Sequence, residues 1–88
     1  LSVEPDNGEL FHLQAIVYGK AGRIGDSALA LSEEALRNGQ YERAANQAKR
    51  AMHLLSKGPA FQRAQDIKDL ADREKERLPS DQQHPDDR

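Results

Sequence analysis

The sequence predicts an all-α fold of about four helices joined as antiparallel hairpins. Three observations predict it. Gly22 and Gly39 each separate two apolar-periodic stretches and lie 17 residues apart. Alanines recur at 44, 45, 48 and 51, which share one face of a helix and leave that face almost without bulk. Ser56-Lys57-Gly58-Pro59 then breaks the chain cleanly, with a glycine suited to close one helix and a proline suited to open the next.

Taken in order, residues 1–8 read as a linker, with Pro5 ending any earlier element and Asp6 or Asn7 available as a cap. The first helix is expected over residues 9–21. Its apolar residues, Leu10, Phe11, Leu13, Ala15, Ile16, Val17 and Tyr18, make a stripe wide enough to be buried on more than one side. Gly19 weakens this helix by about 1 kcal/mol relative to alanine; it marks either the close approach of a neighbouring backbone or a permissive surface site. A second helix over 23–38 carries two stripes, Ile24/Ala28/Leu31/Ala35 and Leu29/Leu36, so it is expected to have neighbours on both sides. The third, over 41–55, turns Tyr41, Met52 and Leu55 inward with its alanines. The fourth, over 59–77, buries Phe61, Ala64, Ile67, Leu70 and Ala71, then becomes fully charged from Asp72 to Arg77, as suits the polar end of a stack. Asp69 and Arg73 are spaced to pair along it. Residues 79–88 are polar and proline-containing and read as a disordered tail.

Size and charge narrow the function classes. Eighty-eight residues allow one small domain, which buries only about 60–65% of its unfolded surface. There is no cysteine for a disulfide and no Cys/His cluster for a structural zinc, so helix packing alone must stabilise it. The net charge of −2, with both signs interspersed, argues against nucleic acid as a partner. No apolar run is long enough to span a membrane. The chain starts Leu1-Ser2-Val3 and its one methionine is Met52, so it reads as an excised fragment or a processed product.

The 17-residue glycine spacing is half of the roughly 34-residue period of the tetratricopeptide (TPR) helix–turn–helix repeat. Two phases of that repeat's pattern lie on this chain. Phe11, Gln14, Ala15 and Tyr18 fill its first four slots in one phase. Ala28, Leu31, Ser32 and Ala35 fill them in the other, followed by Ala44, Ala48 and Ala51 at the small positions. The run from Asn38 to Ala44 resembles the family most closely. Gln14 replaces a leucine, no tryptophan occurs, and the closing proline is displaced to Pro59. The resemblance implies TPR-like hairpins stacked as a right-handed superhelix. Two hairpins fall short of the three or so repeats an independent solenoid needs, which again suggests the end of a longer array.

A wider motif order follows. A Tyr-Gly-containing helix precedes Ala28-Leu29-Ala30-Leu31-Ser32-Glu33-Glu34-Ala35-Leu36 and Gly39-Gln40-Tyr41. Then come Ala51-Met52-His53-Leu54-Leu55, a Lys-Gly-Pro break, and Arg63-Ala64-Gln65-Asp66-Ile67. This order resembles the C-terminal TPR region of bacterial M48-type zinc metalloproteases, periplasmic quality-control enzymes of the outer membrane. The resemblance implies a zinc-dependent parent protease, a periplasmic or outer-membrane-associated location, and partners among the chain's own protease domain, client proteins or outer-membrane assembly proteins. The chain itself reads as non-catalytic and without a cofactor. H-E-x-x-H is absent, and His12, His53 and His84 each lack a second histidine four residues away. No nucleophile–base set or phosphate-cradling loop can be assembled.

TPR arrays bind on the concave face lined by the first helix of each pair. Carried onto this chain, that face takes His12, Ile16 and Lys20 from the first helix and Leu29, Glu33 and Arg37 from the second. Lys20 and Arg37 occupy equivalent sites, where both would suit a peptide carboxylate. Cations at helix C-termini also favour the dipole without binding anything. The TPR family's asparagine–lysine carboxylate clamp is not recognisable. The alternative to a protein-binding module is a self-associating helical domain unrelated to a protease, in which exposed stripes of the first helix pair in a homodimer.

Overall fold

The computed structural model describes residues 7–77, which form four α-helices: α1 (Asn7–Lys20), α2 (Ile24–Arg37), α3 (Tyr41–Leu55) and α4 (Pro59–Arg77). The protein is all-α. The ends of α3 and α4 coincide with those expected from sequence, and α2 is one residue shorter at each end. Asn7 and Gly8, read above as linker, instead belong to the first turn of α1. Weak helix formers are tolerated there because the first backbone N–H groups need no partner within the helix. Residues 1–6 of the expected linker, and the expected tail, lie outside the described residues.

Each connection is three residues long, which leaves room only for antiparallel neighbours. The first two connections are the same structure. Gly22 sits at φ 81° and Gly39 at φ 74°, in the left-handed region that a side chain disfavours. Arg23 N–H donates to the Tyr18 carbonyl and Gly22 N–H to that of Gly19. Gln40 N–H donates to Ala35 and Gly39 N–H to Leu36 in the identical pattern. Both are Schellman closures, which satisfy the last carbonyls of the helix. The residues that follow match as well: Arg23 lies at φ −90°, ψ 74° and Gln40 at φ −89°, ψ 75°. The 17-residue spacing is therefore a backbone repeat. The third connection keeps the spacing of its positive-φ residue but not the closure. Ser56, 17 residues after Gly39, also has positive φ, at 71° with ψ −44°. Lys57 N–H donates to Leu55 across it at 2.7 Å, which makes a strained γ-turn.

The helices meet through small residues. Among the described residues, ten of the eleven buried hydrophobic side chains are alanine, and Ile67 is the exception. Ala35, Ala44, Ala45, Ala48 and Ala71 surround Ile67, where α4 closes over α2 and α3. Ala28, Ala51 and Ala64 form a second contact, with Met52 and Leu55 partly buried beside it. Leu29 packs against both. Ser32, fully buried, donates to the Leu29 carbonyl at 2.6 Å, which removes the cost of hiding its hydroxyl. Each helix packs on the next, and α4 also folds back onto α2. The result is a slab 21 Å thin, about two helices thick.

The wide stripe of α1 is not buried on more than one side. Its main neighbour is α2, so only Phe11, Ala15 and Tyr18 turn inward, and Leu10, Leu13, Ile16 and Val17 stay exposed. Ile24, expected within a buried stripe, is also exposed, because it stands at the first position of α2. Gly19 is not a close-approach site either: an added Cβ would meet only Ser27 Oγ, at an ordinary 3.6 Å. The crowded glycine is Gly25, where a Cβ would lie 2.9 Å from Leu55 Cδ2 and 3.2 Å from Leu54 Cβ. Arg73 makes no pair with Asp69; Lys68 instead reaches Asp72 at 2.9 Å.

Two substitutions test these turns by chemical denaturation. Gly39→Ala is expected to cost about 1–2 kcal/mol, because the open space around it does not relieve the backbone. Ser56→Gly is expected to stabilise the protein by about 0.5–1 kcal/mol by relieving its positive φ.

Candidate protein-interaction surface

The six residues that sequence assigns to one binding face divide into three groups. Leu29 and Glu33 line a crevice of about 100 Å3 between α1 and α2, with Phe11, Gln14 and Tyr18. Leu29 is half-buried in the core. Glu33 is 8% exposed and grips Arg63 of α4 in a two-toothed ion pair, to Nε at 2.7 Å and to Nη2 at 2.8 Å. That hydrogen-bonded carboxylate raises the Arg63 pKa, with burial opposing, so the guanidinium stays charged at any pH short of extreme alkali. The pair fastens α4 to α2 and leaves Glu33 little capacity for another partner.

The second group is at the C-terminal end of α2. Arg37 is exposed, with its guanidinium over the Phe11 ring at 5.5 Å, a cation–π contact back to α1. His12, one residue further along α1, lies with Nδ1 3.3 Å from the Glu34 carboxylate. His12 and Glu34, with Glu9, Leu13 and Asn38, line an open cleft of about 460 Å3. Both contacts lock α1 against α2.

Ile16 and Lys20 form the third group, on the outer side of α1. At about 100° per residue, Lys20 is about 180° around the helix from Phe11, so Lys20 and Arg37 do not share a groove. Lys20 instead stands within an arc of about 120° formed by Leu10, Leu13, Ile16 and Val17, each between 44% and 63% exposed. These are four of the six exposed large hydrophobic residues among those described. An apolar stripe of this kind, edged by charge, is what a partner helix covers. The i, i+3, i+7 spacing of Leu10, Leu13 and Val17 is legible in the sequence, but Leu10, Leu13 and Val17 are missing from the six because the stripe reads as core.

Among the described residues, no group of three or more His, Asp or Glu is placed to hold a metal ion. No described helix is long and apolar enough to cross a membrane. Comparison with known protein families, curated proteins and solved structures returned no match to this chain.

The Glu33–Arg63 tie can be measured. Arg63→Met strands a nearly buried carboxylate and is expected to cost about 1–3 kcal/mol, toward the lower end because water reaches Arg63. Adding Glu33→Leu should recover most of that loss in denaturant titrations, since the pair is then replaced by apolar packing.

Proposed function

We propose that this chain is a non-catalytic protein-interaction module of the TPR type, the C-terminal part of an M48-type zinc protease acting in periplasmic protein quality control. The observation that carries the interaction reading is the α1 arc of Leu10, Leu13, Ile16 and Val17, which is apolar, continuous and uncovered. The repeated closures at Gly22 and Gly39 support stacked hairpins, with α1 as the helix that a further repeat or a partner would meet. The parent enzyme rests on motif order alone. On this reading the catalytic zinc belongs to the parent's protease domain. The partner is that domain, a client or an outer-membrane assembly protein, and nucleic acid is not among them.

The test is a titration of the labelled chain with a separately produced M48-type protease domain and with outer-membrane client proteins, followed by NMR. Shifts should concentrate on α1, and Val17→Lys should weaken the complex at least about fivefold, since it places a charge in the arc that the partner would bury. Absence of binding to every one of them would contradict the proposal.

The same arc favours a second reading, a self-associating helical domain with no protease attached. In that case light scattering should give a dimer that Val17→Lys converts to monomer. A strict monomer at high concentration would exclude it.

A further inference from the structure

A second surface lies on α3, away from α1, and its chemistry is different. The buried side of α3 takes every alanine of the helix, so the outer side collects its charges. Arg43, Lys49, Arg50 and His53 are all exposed there, and Lys57, two residues past the helix end, is exposed as well. The helix has one carboxylate, Glu42, at its first turn. Among the described residues, Arg43, Lys49, Arg50 and Lys57 make no ion pair. In a protein of net charge −2, this is a concentrated positive strip in which Glu42 is the one carboxylate of α3. From Arg43 to His53 it runs about 15 Å at 1.5 Å per residue.

The strip borders a groove. Ile24, Asn46, Lys49, Arg50, His53 and Leu54 line a hollow of about 400 Å3 between the start of α2 and the outer side of α3. Ile24 is 42% exposed and Leu54 49% exposed, the two large apolar residues outside α1 that remain open to water among those described. Gly25 explains why they stand together. Its missing side chain lets the start of α2 settle against Leu54 and Leu55, which brings Ile24 beside Leu54 at the mouth of the groove. An aliphatic floor with cations along its edges is complementary to a chain segment that is apolar on one side and acidic on the other. Asn46 supplies a donor and an acceptor for that segment's polar groups.

We propose that this groove docks an acidic amphipathic peptide segment of a partner protein, its apolar side chains on Ile24 and Leu54 and its carboxylates on Lys49, Arg50 and the cations beyond. A nucleic acid would use the cations and waste the floor. Single strands also stack on aromatic rings, and the four aromatic residues among those described, Phe11, Tyr18, Tyr41 and Phe61, are all outside the groove. The site shares no residue with the α1 arc, so it stands or falls independently of that reading.

Fluorescence anisotropy on the full chain tests this with three labelled probes. The first is a helical peptide of roughly 14 residues, long enough to cover the strip, with leucines at i, i+3, i+4 and i+7 and glutamates elsewhere. The second carries lysine for every glutamate. The third is a single-stranded RNA of similar length. The glutamate peptide should bind, more weakly as salt rises. Lys49→Glu with Arg50→Glu should lower its affinity at least about tenfold, and Leu54→Ser should lower it several-fold, with helix content unchanged by circular dichroism. On the unaltered protein, NMR shifts caused by the peptide should centre on Ile24, Asn46, Lys49, Arg50, His53 and Leu54. Three results would overturn the proposal: no binding of the glutamate peptide, equal binding of the lysine peptide, or tighter RNA binding that Leu54→Ser leaves untouched. The last would assign the strip to phosphates.

Discussion

The close approach of helices through alanine is the constraint on which the rest of this structure depends. A methyl side chain contributes little burial of its own, about 1 kcal/mol or less. Its value is geometric. Ala35, Ala44, Ala45, Ala48 and Ala71 let three helices come near enough for one large residue, Ile67, to fill the space among them. Burying that one side chain fully is worth about 2–3 kcal/mol, and it depends on every small neighbour staying small. The same closeness brings α4 back onto α2, which in turn lets Arg63 reach Glu33 across thirty residues of sequence.

A core built of small residues leaves the large ones elsewhere. Leucines, tyrosine and methionine sit half-buried around the alanine contacts, and the remaining aliphatic residues stay outside. Among the described residues they gather in two places with different surroundings. On α1 they form a continuous arc around Lys20, and at the α2–α3 groove they lie between cations. The proposed binding roles follow from that division: an extended apolar face suits a packed helix, whereas a cation-edged hollow suits an acidic segment.

The sequence discloses the helices of this fold better than its surfaces. The alanine spacing on α3 and the glycines at 22 and 39 are local signals, and each has a single structural cause. Ser56 escaped because a non-glycine residue at positive φ carries no compositional mark, although its distance from Gly39 is the same 17 residues. Gly25 and Gly19 look alike in sequence, and only the position of Leu55 distinguishes them. The stripe of α1 overstates its burial because an apolar stripe is the same whether a neighbour covers it or not. Periodicity puts Leu29 and Glu33 on an open face because it cannot show that α4 returns to α2.

Ala48, fully buried beside Ile67, is where the central constraint is most exposed to test. The decisive measurement is the stability of Ala48→Leu by denaturant titration, with native-state hydrogen exchange to locate the change. Overpacking is expected to cost about 1–3 kcal/mol, despite the added apolar surface, and to loosen α4 first. A protein left equally stable or made more stable, with α4 still protected, would contradict an account in which alanine contacts set the spacing of the helices.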